Sequence, residues 1–118
     1  MASGIIKQPY DFSDNQLQSV PAVTSRGTVI DGGLKKYGNL VVLQFTFKAS
    51  VSAAYSPQIA GSLYAVADAA LSCIDITNWL SDGIAGSIPC GVSTLGRIYV
   101  KEIVTDHIYA ITGCYISA

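Results

Sequence analysis

After the first 26 residues, short apolar runs rich in β-branched and aromatic residues alternate with small groups of turn residues, a pattern typical of an all-β fold. The clearest predicted strand is Leu40–Lys48. Every second side chain from Val41 to Phe47 is apolar, so this face is expected to lie in a core. The opposite face begins with Leu40 and Val42 and becomes polar further along, which predicts a surface that is partly covered.

The run before this strand contains the residues of a bulge and of a turn. Thr28–Lys36 is predicted to be a weaker strand with a bulge or bend at Asp31-Gly32-Gly33, because paired glycines remove side-chain packing and permit positive φ. Tyr37-Gly38-Asn39 then reverses the chain, since glycine and asparagine supply the left-handed conformations that tight hairpin turns require. The sequence therefore predicts two antiparallel strands joined by a short turn.

The middle of the chain is less regular. Ala60–Ile76 is predicted to form two strands broken near Asp68, although its alanine cluster would also tolerate a short helix. Thr77–Ser93 is rich in Gly, Ser, Asp and Asn, which predicts a long loop with a short strand near Ile84–Ile88. Arg97–Val104 is predicted to be the next strand.

The last predicted strand, Ile108–Ile116, is apolar on both faces. Burial on both sides requires either a central position between layers or a face that another subunit covers. Several short strands with turn signals, and no long amphipathic helix, predict an antiparallel β-sandwich of seven or eight strands.

The first 26 residues contain two prolines and show no sustained period of two or 3.6. We expect an extended arm or linker over residues 1–26, with its scattered apolar residues docked on a neighbouring protein, followed by one domain over residues 27–118. A disordered leader is the alternative for the first part. Met1–Gln18 has no apolar stretch behind a positive region, so nothing predicts secretion, and synthesis in a reducing cytoplasm is expected.

Composition adds an argument about assembly. Half of the residues are hydrophobic and 13% are charged, yet the longest uncharged run, Ala49–Ala67, is too polar for a membrane span. A domain of 118 residues exposes much of its surface, so a chain with few charges is expected to be covered by copies of itself. The candidate interface residues, which one subunit was expected to leave without cover, are Leu40, Val42, Tyr109 and Ile111. The net charge of −1 and the absence of a basic face make nucleic acid an unexpected partner.

The residues that carry chemistry are few. Cys73, Cys90 and Cys114 are odd in number, and their spacing fits neither a disulfide framework nor a zinc site, so buried, reduced and inert thiols are expected. The single histidine, His107, has no partner at a catalytic spacing in the sequence. Motifs for phosphate binding, paired metal ligands or a nucleophilic serine are not found, so the sequence predicts no catalytic residue, cofactor or metal.

One cluster suggests a ligand. Asp75, Asn78, Trp79 and Asp82 combine an amphipathic aromatic ring with short polar side chains, which suits a sugar that has one apolar face and several hydroxyls. A partly buried structural tryptophan is the alternative. A further alternative pairs Asp75 with Asp82 as the two carboxylates of a glycoside hydrolase.

Two stretches resemble a known family. Gly32–Leu43 (GGLKKYGNLVVL), together with the closing pair Gly96–Val100 and Ile108–Ile116, is similar to C-terminal domains of bacteriophage tail-fibre and baseplate proteins. This resemblance implies a jelly-roll-like sandwich that forms a trimer and attaches to a host cell-surface saccharide. The resulting expectation is a receptor-binding module at the tail tip of a virion, held by other tail or baseplate proteins through the N-terminal arm. The rival expectations are a virion decoration or scaffold protein without a ligand, and a small glycan hydrolase.

Overall fold

The computed structural model describes residues 17–61, 64–66, 68–77 and 86–117, and this part of the chain is all-β. Seven strands pair antiparallel in one continuous sheet. The strands are β1 (Gly27–Tyr37), β2 (Leu40–Ala49), β3 (Gln58–Gly61), β4 (Ala69–Asp75), β5 (Gly86–Val92), β6 (Arg97–Val100) and β7 (Ile108–Ile116).

The sheet is wrapped into a nearly closed barrel. Its strand order is β1-β2-β7-β4-β5-β6-β3, so β1 and β3 are the two edges. Residues 17–23 lie between these edges and bond to both. Gln18 exchanges two backbone hydrogen bonds of 2.8 and 2.9 Å with Leu34 of β1, and further along Val23 donates to Ile59 while Pro21 accepts from Gly61 of β3, each at 2.8 Å. This segment, which we call the closing segment, satisfies edge groups that would otherwise be open to another strand.

The all-β antiparallel fold with seven strands is confirmed, and the described strands form one wrapped sheet in place of the two facing sheets that a sandwich implies. Residues 17–26, part of the predicted arm, bond to the chain's own barrel and bury Val20, and packing of the arm on a neighbour stays a prediction. The sequence did not predict this segment, because a stretch that bonds to two strands within a few residues shows no hydrophobic period. Residues 1–16 lie outside the described residues, so for them the arm remains a prediction.

The glycines of β1 have different functions. The register of β1 and β2 shifts between Val29 and Asp31, so the bulge lies at Ile30, just before the predicted Asp31-Gly32-Gly33. Gly32 has a φ of +87°, and an added Cβ would overlap the Gln44 carbonyl oxygen. Gly33 lies where the closing segment approaches, and a Cβ there would overlap the Gln18 carbonyl oxygen. The paired glycines therefore allow the close approach of β2 and of the closing segment next to the bulge.

The core lies inside the barrel. Alternate side chains of β2 point inward, and Val41, Leu43, Phe45 and Phe47 are buried, as their alternation predicts. The inner side chains of the other strands complete the core, including Leu34, Ile59, Cys73, Val92, Ile98, Val100, Tyr109, Ile111 and Tyr115.

The predicted bounds of the later strands need adjustment. The break at Asp68 is confirmed, and this residue has a φ of +54°, which aspartate tolerates better than most residues. β5 runs from Gly86 to Val92 and is longer than the predicted Ile84–Ile88, because its polar and glycine residues hide the strand pattern. β6 ends at Val100, before the predicted end at residue 104. After Val100 the chain leaves the sheet, and Ile103 forms an isolated antiparallel bridge with Ala53.

Candidate functional site

Two of the four predicted interface residues lie in the core. Tyr109 is 1% exposed and Ile111 is fully buried. They point into the barrel from β7, opposite Phe47 and Phe45 of β2. The expectation that they need another subunit is therefore wrong. A wrapped sheet covers its whole inner face by itself, so an apolar central strand does not by itself indicate an interface.

The other two predicted residues lie on the outside. Leu40 and Val42 of β2 are 37% and 40% exposed. In register, Leu40 lies between Tyr37 of β1 and Ile116 of β7, and Val42 lies beside Cys114. Ile116 is 65% exposed and Cys114 is exposed. We call these five residues, Tyr37, Leu40, Val42, Cys114 and Ile116, the outer apolar strip.

Two lysines bound the surroundings of this strip. Among the described residues, the outward side chains of β2, β7 and β4 include one charged group, Lys48, which lies at the far end of β2 from the strip. On β1, Lys35 is the register partner of Val42 and lines a groove of about 290 Å³ that adjoins the strip. Burying the strip would desolvate apolar side chains, which favours contact with protein that leaves Lys35 in water or pairs it with an acidic group.

The predicted sugar-binding cluster can be placed at one residue. Asp75 ends β4 and is 5% exposed, and its Oδ2 lies 2.8 Å from His107 Nδ1. Asn78, Trp79 and Asp82 lie outside the described residues. Asp75 is therefore held at the barrel end by a hydrogen bond with His107, a contact that the distance between the two residues in the sequence does not reveal. The pairing of Asp75 with Tyr109 in the β4–β7 ladder brings the two groups together.

Further hydrogen bonds fix this end of the barrel. Thr77 Oγ1 accepts from the backbone N–H of Ile108 at 2.8 Å, and Tyr109 Oη accepts from the backbone N–H of Val104 at 2.7 Å. Burial raises the pKa of Tyr109 to about 12. The phenol therefore remains neutral at physiological pH. Asp75 therefore lies at an end of the barrel that several hydrogen bonds stabilise, shortly before residues 78–85 in the chain.

Among the described residues, the most exposed aromatic ring belongs to the loop that precedes β3. Tyr55 is 99% exposed, and Tyr55 and Ser56 have consecutive positive φ values of 62° and 56°. Such a conformation costs about 1–3 kcal/mol for each non-glycine residue and persists only where neighbours impose it. Here Ser56 donates its backbone N–H to the Lys101 carbonyl at 3.0 Å, and Pro57 accepts from Val100 at 3.3 Å.

A shallow groove lies beside this loop. Ser56, Pro89 and Lys101 line it together with Tyr99, and Tyr99 also lines a neighbouring depression that includes Asp68 and Ser93. Tyr99 is paired with Gly91 of β5 on one side and with Gln58 of β3 on the other, so its ring has a side-chain neighbour only towards β3. We call the side chains of Ser56, Tyr99 and Lys101, which line the groove, together with the adjoining Tyr55, the tyrosine groove. In the sequence, Tyr55 is an aromatic residue before Ser-Pro in a segment without periodicity.

The three cysteines have unequal environments. Cys73 is buried, Cys90 is half-buried and Cys114 is exposed, so the expected burial is confirmed for Cys73 and wrong for Cys114. The β4–β5 ladder pairs Leu71 with Cys90 and Cys73 with Ile88, which places two thiols on one face two residues out of register. The expectation that no cysteine has a neighbouring thiol is therefore wrong, because sequence spacing does not give cross-strand proximity.

Within the parts of the chain that the structure describes, no helix has the length and apolar character of a membrane span, and no three potential metal ligands cluster together. Comparisons of the chain with protein-family models, with curated proteins and with solved structures found no match.

Proposed function

We propose that this chain is a non-catalytic attachment module that binds a cell-surface saccharide through the tyrosine groove. The observation that carries the proposal is Tyr55, a ring held fully exposed on two consecutive residues with positive φ. Neighbouring backbone hydrogen bonds hold this backbone conformation, so Tyr55 is kept at the surface before a ligand arrives. The groove replaces the Asp75–Asp82 cluster as the leading candidate site.

The chemistry of the groove suits a sugar. The C–H face of a pyranose stacks on an aromatic ring, and its hydroxyls require donors and acceptors around the edge. Tyr55 and Tyr99 supply the rings, while Ser56 and Lys101 supply a hydroxyl and an ammonium group. The groove is shallow and open, which suits a polymer that passes across the surface better than a small molecule that must be enclosed.

The outer apolar strip supports assembly. Full burial of a large apolar side chain contributes about 1.5–3 kcal/mol, and several such contacts between copies are needed to offset the cost of association. A trimer would present three copies of the groove, and simultaneous binding to a repetitive polymer raises avidity by roughly a hundredfold or more. This arrangement is the one that the resemblance to phage tail-fibre and baseplate domains implies, with the module at a virion tail tip and other tail proteins bound through residues 1–16.

The test compares Tyr55→Ala with Ile30→Ala, which removes an exposed apolar side chain from β1. Binding of the full chain to purified bacterial wall and capsular polysaccharides is measured by biolayer interferometry. We expect at least a tenfold loss of affinity for Tyr55→Ala and no change for the control. Equal binding by both variants would remove Tyr55 from the site.

The same assay separates the rival functions. An oligomer that binds none of the polysaccharides would contradict the saccharide proposal and favour a decoration or scaffold protein. Release of reducing sugar ends from a bound polysaccharide would contradict the non-catalytic part and favour a glycan hydrolase.

A further inference from the structure

The pair Cys73 and Cys90 is a chemical feature that saccharide binding does not use. Both side chains face the barrel interior from adjacent antiparallel strands, at diagonal positions of one ladder. Side chains at such diagonal positions lie on one face of the sheet and within reach of each other.

The two thiols differ in access and in acidity. Cys73 is buried in the core, whereas Cys90 is half-buried and lines the surface groove beside Ser56 and Lys101. The hydrogen bond that Cys73 donates lowers the pKa of the Cys90 thiol, and the same bond, together with burial, raises the pKa of Cys73. Cys90 is therefore the more accessible of the two thiols and the one that ionises first.

We propose that Cys90 and Cys73 form a thiol–disulfide exchange site, in which Cys90 attacks a small-molecule disulfide and Cys73 completes an internal disulfide. The Cys90 thiolate bonds to one sulfur of the reagent, whose S–S bond breaks and releases one thiol. Cys73 then loses its proton and attacks the Cys90 sulfur, and the second thiol leaves with that proton. Two protein thiols are oxidised by two electrons, and one small disulfide is reduced to two thiols.

Strand geometry gives the bond a distinct character. Diagonal neighbours on a regular antiparallel ladder have Cα atoms about 7–8 Å apart, slightly more than most disulfides span. Oxidation must therefore draw β4 and β5 together by about 1 Å, and a strained bond of this kind is readily reduced. The bond would also close the chain between β4 and β5 into a loop that contains residues 78–85.

The experiment exposes the full-length protein to oxidised glutathione and follows the products by intact mass and peptide mapping. Wild-type protein is expected to lose two hydrogen atoms and to yield a Cys73–Cys90 cross-linked peptide, which dithiothreitol converts back. Cys73→Ala, which keeps a small apolar side chain in the core, is expected to stop at a glutathione adduct on Cys90. Cys90→Ala is expected to lose the internal disulfide.

Cys114→Ala is the matched control, because Cys114 lies on the outer face away from both thiols. It is expected to form the internal disulfide as the wild type does. A stable glutathione adduct on Cys90 in the wild type, or modification of Cys114 alone, would overturn the proposal. Thermal unfolding of each variant before oxidation confirms that the comparison is made on folded protein.

Discussion

The inner and outer faces of β2 differ in how their apolar and polar residues are arranged and in what each arrangement predicts. Its inner side chains are apolar without exception and are buried by the chain itself. Its outer side chains begin apolar at Leu40 and Val42 and end with Lys48. The regular alternation identifies the core, whereas the graded outer face identifies the part of the surface that can contact another protein. Apolar character at one position has a different meaning on each face.

The largest expected effect comes from the inner face. Phe45→Ala removes a fully enclosed aromatic side chain and leaves a cavity, so the free energy of unfolding is expected to fall by about 3–5 kcal/mol. Urea unfolding at a fixed protein concentration measures this change. Gln44→Ala, on the outer face of the same strand, is the control and is expected to change stability by less than about 0.5 kcal/mol. A loss below about 1 kcal/mol for Phe45→Ala would show that the inner face is not tightly packed.

The outer strip is expected to affect association before stability. Replacing both Leu40 and Val42 by Lys removes about 3 kcal/mol of apolar burial between copies, which weakens association by at least about a hundredfold. Sedimentation velocity over a range of concentrations measures the change. Gln44→Lys adds a charge to the same face outside the strip and is expected to leave association unchanged. A double variant that associates as tightly as the wild type would exclude the strip from the interface.

Tyr109 provides a smaller, pH-dependent test of the inner face. The unfolded tyrosine ionises near pH 10, whereas burial raises the pKa in the folded chain to about 12. The unfolded state therefore loses its proton first, and stability is expected to fall as pH rises from 10 to 12, by at most about 3 kcal/mol. Denaturant unfolding across this range measures the slope. Tyr109→Phe removes the ionisation, and an unchanged slope would show that this phenol does not cause it.

Two classes of structural element could be predicted from the sequence: strands whose apolar side chains repeat with a period, and irregularities that a turn residue such as Gly or Asp specifies. The alternation of β2, the bulge next to Asp31-Gly32-Gly33 and the break at Asp68 belong to these classes. Closure could not be predicted in this way, because residues 17–23 contribute backbone groups to two edges and no repeated side chain. Without closure, the burial of Tyr109 and Ile111 inside one chain could not be inferred either.

The candidate sites show the same limit at the level of contacts. Asp75 and His107, and likewise Cys73 and Cys90, are distant in sequence and are brought together by strand register. Residue type indicates what each group can do, but register decides which groups meet. Tyr55 differs, because its exposure depends on a backbone conformation that hydrogen bonds to Lys101 and Val100 impose from outside its own segment.

The closing segment also has a mechanical consequence. Because Gln18 and Val23 bond to opposite edges of the sheet, a force applied through residues 1–16 reaches these hydrogen bonds before it reaches the long β2–β7 ladder. The few hydrogen bonds of the segment can break one after another, whereas the many hydrogen bonds of a continuous ladder must break together. A tether attached at this end would therefore open the seam of the barrel at low load and leave the tyrosine groove on β5 and β6 intact.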